Sequence, residues 1–189
     1  MTELILIRHG ETDYNKQKLV QGLMDNPLNS EGKKQAEGTA HKLKNFNISF
    51  DKIISSPLVR AQMTAQIIKE NLHIGSDIII EPGFIERDFG IYEGFPVLET
   101  IAKITEEGFT CDQYENDLAL KLRVKATALE LAKNYPNQRL IIIAHAHAIK
   151  ALLAETEPKN YNFRTLLSNC SINIFQIDKN IITIKAVNL

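Results

Sequence analysis

The chain has 189 residues, a length that suits one domain. Hydrophobic residues make up 44% of it and charged residues 24%, as in an ordinary globular protein rather than a disordered one. A formal net charge of −1 argues against nucleic-acid or anionic-membrane binding, so an anion would have to bind at a local cluster of cations. The apolar runs are far shorter than the roughly 20 residues that a membrane helix needs. The two cysteines, Cys111 and Cys170, predict reduced thiols in a cytoplasmic protein.

The first half of the chain alternates predicted strands with predicted helices. Apolar runs at residues 3–7, 52–55 and 78–81 predict three short strands. Asn29-Ser30 offers a helix N-cap, after which apolar residues recur at spacings of four and three. That stripe consists of Ala36, Ala40, Leu43 and Phe46. Ser56-Pro57 predicts a second helix, with serine as its N-cap and proline at its first position, that runs to about Asn71.

The second half predicts a long amphipathic helix that ends near Tyr135-Pro136, where the proline ring prevents further helix. Its apolar stripe consists of Leu118, Leu122, Ala126, Leu129 and Ala132. The run at residues 140–144 predicts a strand buried on both faces, and a short helix follows to about residue 155. Residues 171–177 and 181–187 alternate in polarity and predict a closing hairpin. Strands that alternate with helices predict an α/β layered fold with a mainly parallel sheet.

Polar residues follow several of these strands at the edge where parallel sheets bind ligands, outside the carboxyl ends of the strands. Four separate segments supply two or three arginines, two histidines and one carboxylate to this edge. The candidates there are Arg8, His9, Arg60, Glu86, Arg87 and His145, and His147 follows two residues after His145. Each has an ordinary alternative when it is taken singly, such as an arginine paired with a carboxylate or a satisfied, partly buried histidine. Their joint position at the strand ends is what favours a site.

These residue types suit phosphoryl transfer. Arginine donors match phosphate oxygens and stay charged at any working pH, and a neutral imidazole is a competent nucleophile near neutral pH. Phosphoryl transfer depends mostly on positioning and charge neutralisation, which two arginines and two histidines can supply without a metal. Glu86 could provide the proton that the departing alkoxide needs. We therefore predict a phosphotransfer enzyme with His9 as its nucleophile.

The sequence also resembles the histidine phosphatase superfamily, the phosphoglycerate mutase-like enzymes. The matching blocks keep the family's order along the whole chain, and together they are highly specific. The first is Leu6-Ile7-Arg8-His9-Gly10-Glu11-Thr12 with Asn15, continued by Gln21-Gly22, Asp25, Pro27-Leu28, Gly32 and Gln35-Ala36. The others are Ser55-Ser56-Pro57-Leu58 with Arg60-Ala61 and Thr64-Ala65, Glu86 with Gly90 and Tyr92-Glu93-Gly94, Ala144-His145, and Asn169-Cys170-Ser171.

The resemblance implies a three-layer α/β/α sandwich with a mainly parallel central sheet, as a single domain over residues 1–189 with 97–117 as a short lid-like insertion. It implies that His9 takes the phosphoryl group, and that Glu86 donates a proton and later activates water. The residues that would hold the phosphoryl oxygens or lie near the substrate are Arg8, Arg60, His145, Asn15, Gln21 and Gly22. It also implies a small phosphorylated substrate and no metal or other cofactor.

Two departures from the family pattern stand near the predicted site. The family usually has glycine after the histidine at position 145, often two, and this chain has Ala146 and His147. Alanine is tolerated there if the residue is helical, because only a positive φ would strain it. The family's usual glutamine is replaced by Met63, with Gln62 one position early. One helical position rotates a side chain by about 100°, so we expect Gln62 to face elsewhere.

Three alternatives to a phosphatase remain open. Residues 97–117 hold one basic residue, Lys103, against six acidic ones, so they make a poor lid for a second phosphate, and hydrolysis is favoured over mutase-type isomerisation. The His145-Ala146-His147 pair could ligate zinc in a metal-dependent hydrolase; we favour a cleft-lining role for His147. A catalytically silent binder of phosphorylated ligands would not need Glu86. The physiological substrate and the choice between monomer and homodimer are not readable.

Overall fold

The computed structural model describes residues 1–106, 109, 111 and 113–189. Its centre is a six-stranded sheet in the order β3-β2-β4-β1-β5-β6. The strands are β1 (Thr2–Arg8), β2 (Lys52–Ser55), β3 (Ile79–Ile80), β4 (Arg139–Ala144), β5 (Ile172–Asp178) and β6 (Ile181–Ala186). The first four run parallel, and the predicted closing hairpin adds β5 and β6 antiparallel at one edge. The prediction of a mainly parallel sheet is confirmed.

Helices cover both faces of the sheet. They are α1 (Asp13–Lys16), α2 (Ser30–Asn45), α3 (Val59–Leu72), α4 (Val97–Ile104), α5 (Asp117–Asn134) and α6 (Ala146–Thr156). Because successive side chains of a strand point to opposite faces, Ile5 and Ile7 of β1 pack with α2 and α3, whereas Leu4 and Leu6 pack with α5 and α6. The predicted three-layer sandwich is therefore confirmed. Within the described residues, no helix is long and apolar enough to cross a membrane.

The start predicted for the helix after Ser56-Pro57, which is α3 in the structure, is wrong. Asn29 caps α2 as expected, its side chain accepting a hydrogen bond from the Gly32 amide. In contrast, α3 begins at Val59, and Ser56 does not cap it. The reason is that the Ser56 hydroxyl lies 2.6 Å from His145 Nε2, so it serves the strand-end edge instead of the helix. Asp25 takes over by accepting a hydrogen bond from the Val59 amide at 2.6 Å.

The predicted buried face of α5 is also wrong. The residues that enter the core are Leu120, Val124, Ala128 and Leu131. Leu118 is 65% exposed and Leu122 is 55% exposed, while Leu129 and Ala132 are only partly buried. The helix carries two apolar stripes, and packing against α6 selected the one that the spacing argument did not choose.

The predicted lid, residues 97–117, comprises α4, a connecting segment and the first residue of α5. Four of its residues lie outside the described part of the chain: Glu107, Gly108, Thr110 and Asp112. The assignment of this segment as a lid on a single domain stays a prediction.

Candidate active site

A cavity of about 220 Å³ opens at the carboxyl ends of the parallel strands. Seven of the eight predicted site residues line it: Arg8, His9, Asn15, Gln21, Gly22, Arg60 and Glu86. The eighth, His145, is fully buried behind them, with its ring centre 5.2 Å from that of His9. The fold thus brings the predicted residues together, while their individual roles stay predictions.

His9 follows β1 and is 2% exposed. Its Nδ1 lies 2.7 Å from the Gly10 carbonyl oxygen, which can only accept, so we assign the ring proton to Nδ1. Nε2 then keeps its lone pair, and Arg60 Nε donates to it at 3.3 Å. Burial lowers the pKa of His9 well below its usual value, and the positive charges of Arg60 and Arg8 lower it further. The imidazole is therefore neutral near pH 7, and its Nε2 is unprotonated.

The loop after His9 needs glycine because its backbone packs directly on α2. A Cβ at Gly10 would lie 2.4 Å from the Gly32 carbonyl oxygen. The Gly10 amide donates to Thr64 Oγ1 at 3.1 Å, and that hydroxyl donates to the Arg60 carbonyl at 2.8 Å. Sequence reasoning missed Thr64, although it stands in the family-like block that carries Arg60. Thr64 thereby links the loop after His9 to α3, the helix that carries Arg60.

Two guanidinium groups line the cavity with His9, that of Arg60 buried and that of Arg8 partly buried. Arg60 is 1% exposed, and its two terminal nitrogens donate to the carbonyl oxygens of Gly22 and Met24. Burial lowers the pKa of Arg60 to about 10, which leaves the group charged at neutral pH. Arg8 Nη1 donates to the Leu167 carbonyl, while its buried Nε has no hydrogen-bond partner among the described residues. The pair forms a positive wall suited to phosphate oxygens.

His145 follows β4 and is held by Ser56, whose hydroxyl oxygen lies 2.6 Å from its Nε2. Burial lowers the pKa of His145 well below its usual value, with Arg60 and His9 adding to the effect. Its Nδ1 is buried without a partner in the described part of the chain. A neutral imidazole at this position can donate one hydrogen bond. Ser56 is a second residue that sequence reasoning placed elsewhere, in a helix cap.

Glu86 sits at the N-terminus of α6. Its carboxylate accepts hydrogen bonds from the amides of His147 and Ala148, at 3.1 and 3.2 Å, and from the Arg87 amide at 3.0 Å. Backbone donors at a helix N-terminus stabilise a carboxylate in its charged form. Ala146 is the first residue of α6 and has no positive φ, so the departure from the family's glycine introduces no strain.

A polar network holds the remaining predicted residues. The Thr12 hydroxyl lies 2.9 Å from Gln21 Oε1 and accepts from the Asn15 amide at 3.2 Å. Asn169 Nδ2 donates to the His9 carbonyl at 3.1 Å and lies 3.3 Å from Asn15 Oδ1. Asn169 was not predicted as a site residue, although its family-like block could have indicated it.

Gly22 has φ +52°, and a Cβ there would lie 2.0 Å from Glu93 Oε1. Its carbonyl oxygen accepts from Arg60 Nη2 at 2.8 Å, so this turn conformation positions the arginine. Only glycine combines that backbone conformation with the close approach of the Glu93 side chain.

Arg87, which was a candidate, and Gln62, which was expected to face elsewhere, do not line the cavity. Arg87 packs its guanidinium 4.2 Å from the Phe163 ring centre and pairs with Asp117 at 2.7 Å. Gln62 is exposed and donates to the Pro57 carbonyl, as its position on the helix predicted.

His147 lines the cavity with its ring between Phe89 and Phe163, at ring-centre distances of 5.0 and 5.4 Å. Across residues 1–106, 109, 111 and 113–189, no three His, Cys, Asp or Glu side chains are grouped to hold a metal ion. The zinc alternative therefore has no ligand set among them.

Comparison with known proteins agrees with this geometry. Residues 4–189 match the model of the histidine phosphatase superfamily (branch 1), and the chain belongs to that superfamily. It is 39% identical over 177 residues to the uncharacterized phosphatase PhoE of Bacillus subtilis (strain 168), covering 92% of this chain and 88% of PhoE. It is 32% identical to a probable phosphoglycerate mutase, GpmB, of Enterobacter sp. (strain 638), covering 92% and 84%.

Among solved structures, the chain is similar to a phosphoserine phosphatase mutant from Entamoeba histolytica in complex with phosphoserine. The two share 29% sequence identity with a TM-score of 0.85, and the match covers 100% of this chain and 97% of the other. The expected superfamily and fold are confirmed.

Proposed function

We propose that this protein is a metal-independent phosphatase that hydrolyses a phosphate monoester through a phosphohistidine on His9. The observation that carries the proposal is the buried, neutral His9, whose unprotonated Nε2 accepts a hydrogen bond from Arg60 in a cavity that Arg8 also lines. We further propose a single-domain protein, monomeric or homodimeric, that acts on a small substrate in the cytoplasm.

In the proposed reaction, Nε2 of His9 attacks phosphorus and the bond to the leaving oxygen breaks. Arg8, Arg60 and His145 hold the phosphoryl oxygens, and Glu86 gives its proton to the leaving oxygen. The amides of His147 and Ala148 hold the Glu86 carboxyl group at the N-terminus of α6, in the same cavity as His9. Water then attacks phosphorus, the P–N bond breaks, and Glu86 takes the proton from that water.

The α4 side of the cavity supports hydrolysis over isomerisation. The α4 residues that line it are Val97, Thr100 and Ile101, and none of them is charged. A mutase must keep a second phosphate in place while the phosphoryl group moves, and the side of α4 that lines the cavity offers no cation for that purpose, since Lys103 does not line it. The similarity to PhoE supports the same choice, whereas the similarity to GpmB keeps the isomerase testable.

The first prediction concerns the covalent intermediate. Brief incubation with a ³²P-labelled phosphate monoester in a chelating buffer, followed by denaturation in alkali, should trap acid-labile phosphohistidine on His9. His9→Ala should carry no label and lose turnover of p-nitrophenyl phosphate, because no nucleophile replaces Nε2. His41→Ala, at an exposed helix position, is the matched control and should behave as wild type.

Retained turnover in His9→Ala, or loss of turnover on chelation, would overturn the proposal. Isomerisation of 3-phosphoglycerate without net phosphate release would favour the mutase instead.

A further inference from the structure

Lys150 lies one turn after His147 on α6, and its side chain lines the cavity. Its Nζ donates to the Phe163 carbonyl at 3.2 Å. An ammonium group has three N–H donors, and no carboxylate of the described residues forms an ion pair with this one. Lys150 therefore brings to the cleft a positive charge that has no ion-pair partner among the described residues, together with spare donors.

The burial of Lys150 and the cations around it favour binding of an anion at its ammonium group. Burial lowers its pKa to about 8; Glu86 opposes this effect, while Arg8 and Arg87 add to it. A partly buried cation beside other cations is costly unless an opposite charge comes to it. A negative group bound at Nζ would relieve that cost.

The position of Lys150 assigns this anion to the leaving group rather than to the phosphoryl group. Arg60 donates directly to His9 Nε2, whereas Lys150 lines the cavity from α6, three residues after His147. His147 in turn donates its amide to Glu86, the proposed donor of a proton to the leaving oxygen. Lys150 therefore lines the cavity from α6, the helix whose first amides hold the proposed proton donor to the leaving oxygen.

We propose that Lys150 is a specificity residue that binds a carboxylate on the leaving group, so that the preferred substrates are small phosphate monoesters carrying a carboxylate. This inference rests on the proposed phosphatase activity. One lysine in a small cleft with apolar neighbours, among them Leu166 and Leu167, matches one additional negative charge better than a second phosphate dianion.

Two substrates that differ in one group test the proposal. 3-Phosphoglycerate and glycerol 3-phosphate have the same three-carbon skeleton, but only the first has a carboxylate where the second has a hydroxymethyl group. Wild type should prefer 3-phosphoglycerate in kcat/KM. Lys150→Gln keeps a donor for the Phe163 carbonyl and removes the charge. It should lower the ratio of the two kcat/KM values about 10- to 100-fold, the loss typical of one charge-assisted hydrogen bond.

Lys150→Arg should restore most of that ratio, and Lys133→Met, at an exposed position on α5, should leave it unchanged. Calorimetric binding of both compounds to His9→Ala, with and without Lys150→Gln, should show the same discrimination without turnover. Equal losses for both substrates, or no preference in wild type, would overturn the inference while leaving the phosphatase intact. Absence of His9-dependent phosphate release from any ester would instead overturn the proposed function, and the inference with it.

Discussion

At the scale of single residues, the chemistry of the site depends on which atoms of each side chain are already engaged. Nδ1 of His9 is committed to the Gly10 carbonyl, which leaves Nε2 as the nucleophilic atom. The two carboxylate oxygens of Glu86 accept different numbers of hydrogen bonds. Oε1 accepts from three backbone amides, whereas among the described residues Oε2 accepts only from the His147 amide, at 3.3 Å.

Because of this difference, Glu86→Gln should leave the fold intact. The glutamine carbonyl can keep the three hydrogen bonds of Oε1, and the amide nitrogen in place of Oε2 loses the longer contact with the His147 amide at 3.3 Å. The variant can no longer donate a carboxylic acid proton. We expect formation of phosphohistidine to slow about 10²- to 10⁴-fold with an alkyl phosphate, the range for loss of a general acid, and far less with p-nitrophenyl phosphate, whose leaving group needs no proton.

Rapid-quench measurement of the labelled protein isolates this first step from the later attack of water. Equal slowing with both substrates would remove Glu86 from the acid role.

At the scale of secondary structure, contacts with other elements determine how a helix end is capped and which helix face is buried. The N-terminus of α6 gains an acidic partner from a distant loop, because Glu86 accepts from its amides. On α5, leucine occurs on both sides of the helix, and only the side that meets α6 is excluded from water. Leu120 is fully buried there, and Leu122, two positions later, is 55% exposed.

These two leucines on one helix form a matched pair for a stability test. Leu120→Ala removes buried methyl groups and leaves a cavity, so the free energy of unfolding should fall by about 2–5 kcal/mol. Leu122→Ala should change it by no more than about 0.5 kcal/mol, as is usual at exposed positions. Urea denaturation of both variants measures the difference. Comparable losses would mean that the stripe predicted from the sequence spacing is the buried one.

At the scale of the whole molecule, folding moves two histidines from distant parts of the chain into one buried, positively charged edge. Burial lowers the pKa values of both His9 and His145, and Arg60 lowers them further. The unfolded chain binds a proton at each histidine near its ordinary pKa, about 6.5, at which the folded protein does not. The free energy of unfolding therefore falls as pH drops below about 6.5, because protonation favours the unfolded chain.

Burial lowers the pKa of His147 in the same way. We expect each of these three histidines to contribute up to about 1.4 kcal/mol per pH unit to that slope. Urea unfolding between pH 7.5 and 5.5 measures it, in buffers without phosphate, since bound phosphate would stabilise the folded form. His9→Ala should remove about a third of the slope, because three histidines contribute to it, and His41→Ala, at an exposed position, should not change it. A flat profile for wild type would contradict neutral burial of these imidazoles.

The sequence by itself determined the architecture and the membership of the site. Short apolar runs that alternate with helices indicated a parallel sheet, and residues at strand ends must meet at one edge, so Arg8, His9, Arg60, Glu86 and His145 were found without coordinates. The family-like blocks supported the same set. These features are local, because the period of a strand and the residue that follows it are written in a few consecutive positions.

The tertiary structure decided what depends on distant partners. It turned Ser56 from a helix cap to His145, chose the buried face of α5, moved Arg87 out of the cavity and brought Lys150 and Thr64 to the site. A side chain with two possible partners, or a helix with two apolar faces, is ambiguous in sequence. Burial and hydrogen-bond satisfaction resolve the ambiguity only when the layers pack together.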